Sequence, residues 1–416
     1  MTAFDRLEVR IPELMDELAP ARVPDYFDDM LRQSARTGQR PAWSSLEWWL
    51  PMGVLARTDT IRQVPWRPIV AVSLLIVAIA AAVAIYAGSR PHRVPPPFGP
   101  AGNGLALFTQ NGGDIAALDP ISLQVRVLIG GPEHDWGPVV SPDGLQFVFA
   151  RTTDTQEATW VANIDGSGAR EILATGSATD RLESAPDSNR LLVVPATTHE
   201  PIVIDVAAGT STALSAGTPA NMASWRPGHD QLVVTTDSGN GSTFSLTGLD
   251  GTVVKALTTT PDFSNGPALS PDGTRLAYSP WPDDPAQRGI IHVDPIDGGA
   301  EITIAPNPPG SANYISPRFS PDGSLILAAA YSTQLGSSSQ ARLVLLRSDG
   351  QGAPIELGAM HGAGPDGIDA QFSPDGTEVL ATYPDDGMTW LFPIDGSPGR
   401  LVGKPGRQFD WQRTGW

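Results

Sequence analysis

Ser141-Pro142-Asp143-Gly144 returns as Ser270-Pro271-Asp272-Gly273, Ser320-Pro321-Asp322-Gly323 and Ser373-Pro374-Asp375-Gly376, and this four-residue cassette decides the fold. Weakened copies, Pro186-Asp187-Ser188 and Arg226-Pro227-Gly228, stand where two further members belong. The six prolines are separated by 44, 41, 44, 50 and 53 residues, a period typical of propellers and solenoids. Proline presets φ for the second position of a type I turn, Asp hydrogen-bonds locally, and Gly accepts the left-handed conformation that closes a bulged hairpin. The cassette is therefore a strand-to-strand corner.

A short apolar run follows each corner: Phe147–Ala150, Leu191–Val194, Leu232–Val234, Leu276–Tyr278, Leu325–Leu327 and Val379–Ala381. Such runs suit strands buried on both faces. About 20 residues on comes a second corner, usually Asp-Gly, as at Asp165-Gly166, Asp250-Gly251, Asp297-Gly298, Asp349-Gly350 and Asp395-Gly396. Each repeat then reads as a four-stranded antiparallel meander.

The Ser-Pro-Asp-Gly corner, the apolar strand and the Asp-Gly hairpin resemble the WD-type propeller repeat of the TolB family, which also occurs in prolyl-oligopeptidase-like enzymes. The resemblance covers roughly residues 100–416 and implies an all-β propeller, while a fold of this kind hosts many activities. The blade count follows from the residues. Segment 104–129 supplies three strands with no inner strand before them, and Phe409-Asp410-Trp411-Gln412-Arg413 resembles the inner-strand sequences Ala223-Ser224-Trp225-Arg226 and Asp135-Trp136-Gly137. Seven blades are expected, with the last strand closing the ring on the first three; six blades is the alternative if the N-terminal strands stay out.

Charge is divided unevenly. Residues 1–100 hold 11 basic and 10 acidic side chains, leaving 16 and 35 for the remainder, a net of −19. A ring so acidic does not suit phosphate backbones, and nucleic acid is not an expected partner. With no cysteine and six scattered histidines, disulfides and thiolate metal sites are excluded, and no cofactor is expected.

Residues 1–66 read as a cytoplasmic helical segment. Phe27, Met30 and Leu31 lie on one side of a short amphipathic helix and are the candidates for docking a cytoplasmic regulator, with a loosely ordered tail as the equal alternative. Residues 67–90 read as a transmembrane helix, because positions 68–89 carry no charge and 22 residues span about 33 Å against a hydrocarbon core of about 30 Å. A cleaved signal peptide does not fit behind some 66 residues. Residues 91–103 form a Pro-rich linker and 104–416 the propeller. Arg57, Arg62 and Arg67 precede the span and Arg90 and Arg93 follow it. Together with the secreted character that the TolB resemblance implies, they place the N-terminus in the cytoplasm and the ring outside a single-pass cell-membrane anchor.

No Gly-x-Ser-x-Gly elbow, no phosphate loop and no α/β-hydrolase domain is read in the sequence, so no catalytic residue is expected. The loops entering the inner strands carry Glu133, His134, Asp135, Asp180, Arg181, Glu183, Asp262, Asn265, Asp366, Asp369, Arg407 and Asp410. Asp135, Asp369 and Asp410 are the metal candidates, since converging carboxylates suit a hard cation. A solvated acidic rim is the plainer reading. Trp136, Trp225 and Trp411 are expected to pack between blades, and the cassette Asp residues to shape turns. The functional expectation is a binding or sensing platform for an extracytoplasmic protein, peptide or glycan. A metal-dependent lactonase- or lyase-like enzyme and a wall-binding structural protein are the alternatives.

Overall fold

The computed structural model describes residues 70–79 and 95–415, apart from 154–155, 175–178, 215–219, 221, 238–240, 261–263, 281–288, 307, 309–310, 333–339 and 363–366. Phe27, Met30 and Leu31 lie outside the described residues. The chain divides into two compact units, Met1–Arg90 and Pro91–Trp416.

In the first unit the described part is a helix, α1 (70–79), of ten residues, every one exposed. Val70, Val72, Leu74, Leu75, Ile76, Val77 and Ile79 point outward around it. Among the described residues no helix is long and apolar enough to cross a membrane. The rest of the expected 67–90 span lies outside them.

The second unit is all β. It begins with β1 (Gly102–Thr109), β2 (Ile115–Leu118) and β3 (Val125–Ile129), then β4 (His134–Val140), β5 (Gln146–Thr152), β6 (Glu157–Asn163) and β7 (Arg170–Ala174). Next come β8 (Thr179–Ser184), β9 (Arg190–Pro195), β10 (Ile202–Asp205) and β11 (Thr210–Ala213). They are followed by β12 (Met222–Trp225), β13 (Gln231–Asp237), β14 (Ser242–Gly248) and β15 (Val253–Thr260). The fifth set is β16 (Ser264–Leu269), β17 (Arg275–Pro280), β18 (Ile291–Pro295) and β19 (Ile302–Ile304). The sixth is β20 (Asn313–Phe319), β21 (Leu325–Tyr331), β22 (Gln340–Arg347) and β23 (Ile355–Gly362). The chain ends with β24 (Asp369–Phe372), β25 (Glu378–Thr382), β26 (Thr389–Pro393), β27 (Arg400–Gly403) and β28 (Arg407–Thr414).

These strands form seven four-stranded antiparallel sheets, and the seam sheet has the order β28-β1-β2-β3. The expected seven-bladed ring is therefore present, with Trp411 opposite Ala106 and Asp410 opposite Leu107 at the closure. Pairing the last strand with the first leaves the ring no open end.

The apolar runs after the cassettes are the second strands of the blades, and their alternation explains the core. On β21, Leu327 and Ala329 pack with Val379, Ala381 and Phe392 of the next blade. Ile326 and Ala328 pack the other way, against Ile291 and Val293. Each second strand is thus buried on both faces, and each fully buried aliphatic side chain contributes about 1.5–3 kcal/mol. The core is a circle of inter-blade layers rather than one central cluster.

The cassettes behave as turn chemistry dictates. The serine hydroxyl donates to the Asp Oδ1 two residues on at 2.5–2.7 Å in all four copies. The same hydroxyl accepts the backbone N–H five residues on, as Gln146 to Ser141 at 3.1 Å. Gly144 and Gly273 have φ of +71° and +68°, and a Cβ on either would come within 2.1 or 2.2 Å of a carbonyl oxygen in the preceding blade. Only glycine fits there.

The corners also bind the blades to one another. Gln412 Nε2 donates to Gly144 O at 2.9 Å, Arg226 Nε to Gly273 O at 2.9 Å, and Arg275 Nη2 to Gly323 O at 2.8 Å. Each of these cassette glycine carbonyls is satisfied by a side chain from the neighbouring blade.

Candidate functional site: the central channel

Seven inner strands, β4, β8, β12, β16, β20, β24 and β28, line the channel, and the pleat decides which residues face it. The position two residues before each corner points inward: Val139, Glu183, Ser224, Ala268, Arg318, Gln371 and, at the seam, Asp410. Gly137, Arg181, Met222, Ser316, Asp369 and Gln408 stand two residues earlier along the strands. Two stacked rings of side chains result.

Bulges re-aim part of this wall. The pairing register shifts between Trp136 and Val139, between Asn265 and Ala268, and between Ile315 and Arg318. Each shift spans a dipeptide ending in proline, Gly137-Pro138, Gly266-Pro267 or Ser316-Pro317. Proline lacks the N–H that a bulge leaves unpaired. Gly137, Ser316 and Gln408 have φ of +63°, +55° and +54°, so two residues with side chains hold a conformation that Gly137 adopts freely.

The channel consists of two vestibules, about 600 and 1070 Å³, that share Arg181, Glu183, Ser316, Arg318, Gln371 and Asp410. These six form the waist. Arg181 donates to Glu183 Oε2 at 3.0 Å and to Ser224 Oγ at 2.8 Å, while Glu183 Oε1 accepts Trp225 N–H at 3.1 Å. Asp410 accepts Gln371 Nε2 at 2.9 Å, Trp411 N at 2.9 Å and Val140 N at 2.8 Å. Burial raises its carboxyl above the usual carboxylate range, against the pull of those donors and of Arg318. Asp369 accepts Gln408 N at 2.6 Å and is likewise raised, burial outweighing Arg318 and Arg407.

The smaller vestibule opens among the corner prolines Pro227, Pro271, Pro321 and Pro374, where Phe98 and Gly99 also line it. Those two residues are held there by Arg413, whose Nη2 donates to Pro96 O at 2.8 Å and Gly99 O at 2.6 Å, and by Ala101 N, which donates to Pro374 O at 2.9 Å. The larger vestibule opens at the other end, past Asn111, His134, Trp136, Asp369 and Arg407.

The residues singled out from sequence are dispersed. Asp135 is fully buried, with Arg151 Nε on Oδ1 at 2.6 Å and Nη2 on Oδ2 at 2.8 Å. Asp369 lines the larger vestibule and Asp410 the waist. His134, Arg181, Glu183 and Arg407 reach the channel, Glu133 is half-buried in the loop before β4, and the backbones of Asp180 and Asn265 lie on β8 and β16. Asp262 and Asp366 fall outside the described residues. The group with three metal-type donors among the described residues is instead His361, Asp385 and Asp386. There, Asp385 also accepts the N–H of Gly362 at 2.9 Å, and His361 stacks on Tyr383 at 3.8 Å.

Trp225 and Trp411 are buried between blades as expected. Trp136 is not their counterpart. Trp225 pairs with Leu232 and Trp411 with Ala106, but Trp136 sits opposite Ala150, four residues ahead of the matching Val140, and lines the open mouth. Its indole N–H donates to Thr152 Oγ1 at 3.2 Å.

No known family model and no curated protein matches this sequence. The likeness is to solved structures. Hydrazine synthase from Kuenenia stuttgartiensis superposes with a TM-score of 0.53 at 16% identity, over 73% of this chain and 96% of that one. The propeller domain of the Trilobed protease from Pyrococcus furiosus gives 0.51 at 16%, over 74% and 97%. The fold is that of a seven-bladed β-propeller. TolB from Acinetobacter baumannii itself aligns at 16% identity over 76% of this chain and 67% of its own, with a TM-score of 0.48. At such identities the propellers share architecture only. The Pyrococcus domain has an open velcro topology, whereas here β28 closes the seam on β1.

Arg318, Ser316 and Gln371 were not singled out from sequence. A signal was present, since Pro138, Pro267 and Pro317 each stand three residues before a cassette serine and mark a bulged channel wall.

Proposed function

We propose that this chain is a binding platform whose central channel receives a ligand or a segment of a partner through the mouth at Trp136. The observation that carries this reading is the channel itself. It has a pocket-sized volume, an aromatic at its open end and a waist lined by polar groups, the pattern that ligand sites share. The reading is of binding rather than catalysis, because the waist carboxylates Glu183 and Asp410 are already held by N–H donors.

The proposal includes a single-pass anchor in the cell membrane, with the ring outside and residues 1–66 inside, where Phe27, Met30 and Leu31 dock a regulator. Supporting it are the uncharged run 68–89 and the apolar surface exposed all round 70–79, which water does not stabilise.

Benzophenone crosslinking in intact cells tests the channel reading, with the photoreactive residue placed at Trp136 or, as control, at the exposed outer-strand Val125. A discrete adduct at 136 and none at 125 is expected; equal adducts at both, or none, contradict it. Protease shaving of intact cells with antibodies to each end tests the topology, and protection of the ring with loss of the N-terminus contradicts the orientation.

A further inference from the structure

Two side-chain donors on the channel wall have no partner among the described residues. Arg318 and Ser316 lie two residues apart on β20, both line both vestibules, and among the described residues neither side chain has a hydrogen bond or ion pair. Both are exposed to the channel. Arg318 interacts with Asp369 and Asp410 only through longer-range charge. Every other charge in the waist is engaged: Arg181 with Glu183, and Asp410 with three N–H groups. A guanidinium exposed to the channel and without a hydrogen-bond partner among the described residues, in a ring of net −19, is open to an incoming anion.

The backbone supplies a second, independent observation. Ser316 holds φ +55° at a bulge position where β4 has Gly137 at +63°. An L-residue is strained there and glycine is not, and strain of this kind concentrates at ligand sites. Serine differs from glycine at this point by a hydroxyl, and Ser316 is exposed and lines both vestibules. A serine hydroxyl and a guanidinium fork thus stand two residues apart on the same stretch of channel wall.

We propose that the waist binds a carboxylate, seated on the Arg318 guanidinium and the Ser316 hydroxyl. The planar fork matches the two oxygens of a carboxylate. Asp410 and Asp369 nearby favour a single negative charge over a phosphate dianion. The carboxylate belongs either to a small organic acid or to the end of a peptide entering past Trp136. This assignment rests on the channel reading above and sharpens it.

The test is calorimetric titration of the full chain with three probes: propionate, N-acetyl-triglycine, and N-acetyl-triglycine amide. The peptide acid is expected to bind at least about tenfold more tightly than its amide, the worth of one charge-assisted hydrogen bond. Arg318→Gln removes that difference, and Ser316→Gly reduces it while keeping the backbone conformation. Propionate binding as tightly as the peptide acid assigns the site to small acids, and weaker propionate binding assigns it to peptide ends; both support the carboxylate. Equal binding of acid and amide, lost in Trp136→Arg but not in Arg318→Gln, overturns the carboxylate assignment and leaves the channel reading standing. Binding that neither substitution changes overturns both, and the absence of binding by either acid at millimolar concentration overturns the carboxylate site.

Discussion

Arg226 places its Nε hydrogen on the carbonyl oxygen of Gly273 at 2.9 Å, and so fastens one blade's corner to the next. Its Nη2 reaches Asp297 Oδ2 at 2.7 Å and its Nη1 reaches Gln231 Oε1 at 3.1 Å, while the side chain is only 4% exposed. Arginine here replaces the serine of the regular cassette, exchanging a local turn bond for a bond between blades.

Arg226→Ala is therefore expected to cost about 2–4 kcal/mol, because it leaves a corner carbonyl without its donor and opens a cavity. Denaturant midpoints with unchanged slope measure it. A loss below about 0.5 kcal/mol would mean that the bonds between corners do not hold the ring.

Cassette glycines are not equivalent. At Gly273 a Cβ meets Pro227 O at 2.2 Å, whereas at Gly376 the nearest atom is Pro321 Cδ at 3.5 Å, with φ of +68° and +73°. Gly376→Ala is expected to cost about 1–2 kcal/mol from backbone conformation alone. Gly273→Ala adds a clash with backbone and should be worse by at least about 1 kcal/mol. Equal losses in paired unfolding curves would refute the close approach.

Channel-wall substitutions should behave differently. Arg318→Gln removes no hydrogen bond or ion pair found among the described residues, only the longer-range attraction to Asp369 and Asp410, and is expected to change stability by less than about 0.5 kcal/mol. Ser316→Gly relieves an unfavourable φ and is expected to raise stability by up to about 1 kcal/mol, partly offset by chain entropy. Thermal melts of both variants check this. Marked destabilisation by Arg318→Gln would show that the guanidinium has a structural partner.

The pH dependence has opposite signs in two sets of aspartates. Burial raises Asp369 and Asp410, so the folded state binds protons more readily than the unfolded chain. Their contribution to stability falls as pH rises from the ordinary carboxylate value, about 4, through their raised folded values. For Asp272, Asp322 and Asp375, burial pulls upward but hydrogen bonds prevail and the carboxyls lie below the usual range. Their contribution is present above about pH 4 and is lost as pH falls through the lowered folded values. Urea unfolding should show stability still rising as pH drops through the raised values of Asp369 and Asp410, then collapsing below the ordinary carboxylate value of about 4 as the lowered aspartates are protonated. Asp369→Asn with Asp410→Asn should flatten the upper limb and leave the acid collapse in place.

The blades were legible in the sequence because turn chemistry is local: Pro142, Asp143 and Gly144 specify their corner within four residues. The closing strand was legible because Phe409–Arg413 repeats the apolar-polar alternation of an inner strand. The waist was not, since its membership depends on bulges that shift the register between Ile315 and Arg318 and on which face the pleat turns inward. The same bulge on β4 moved Trp136 from the expected inter-blade layer to the channel mouth. Asp135 was misleading for a simpler reason, as its partner Arg151 lies on the adjacent strand, 16 residues away.

The chain contains no cysteine, so Ser316→Cys gives a single thiol at the waist. The most direct test of a channel that prefers anions is the rate at which this thiol reacts with a negatively charged methanethiosulfonate and with a positively charged one, each relative to a free thiol. The anionic reagent is expected to react faster, and Arg318→Gln to abolish the preference. Faster reaction with the cationic reagent in the parent background, or a preference that survives Arg318→Gln, would contradict the assignment of the waist.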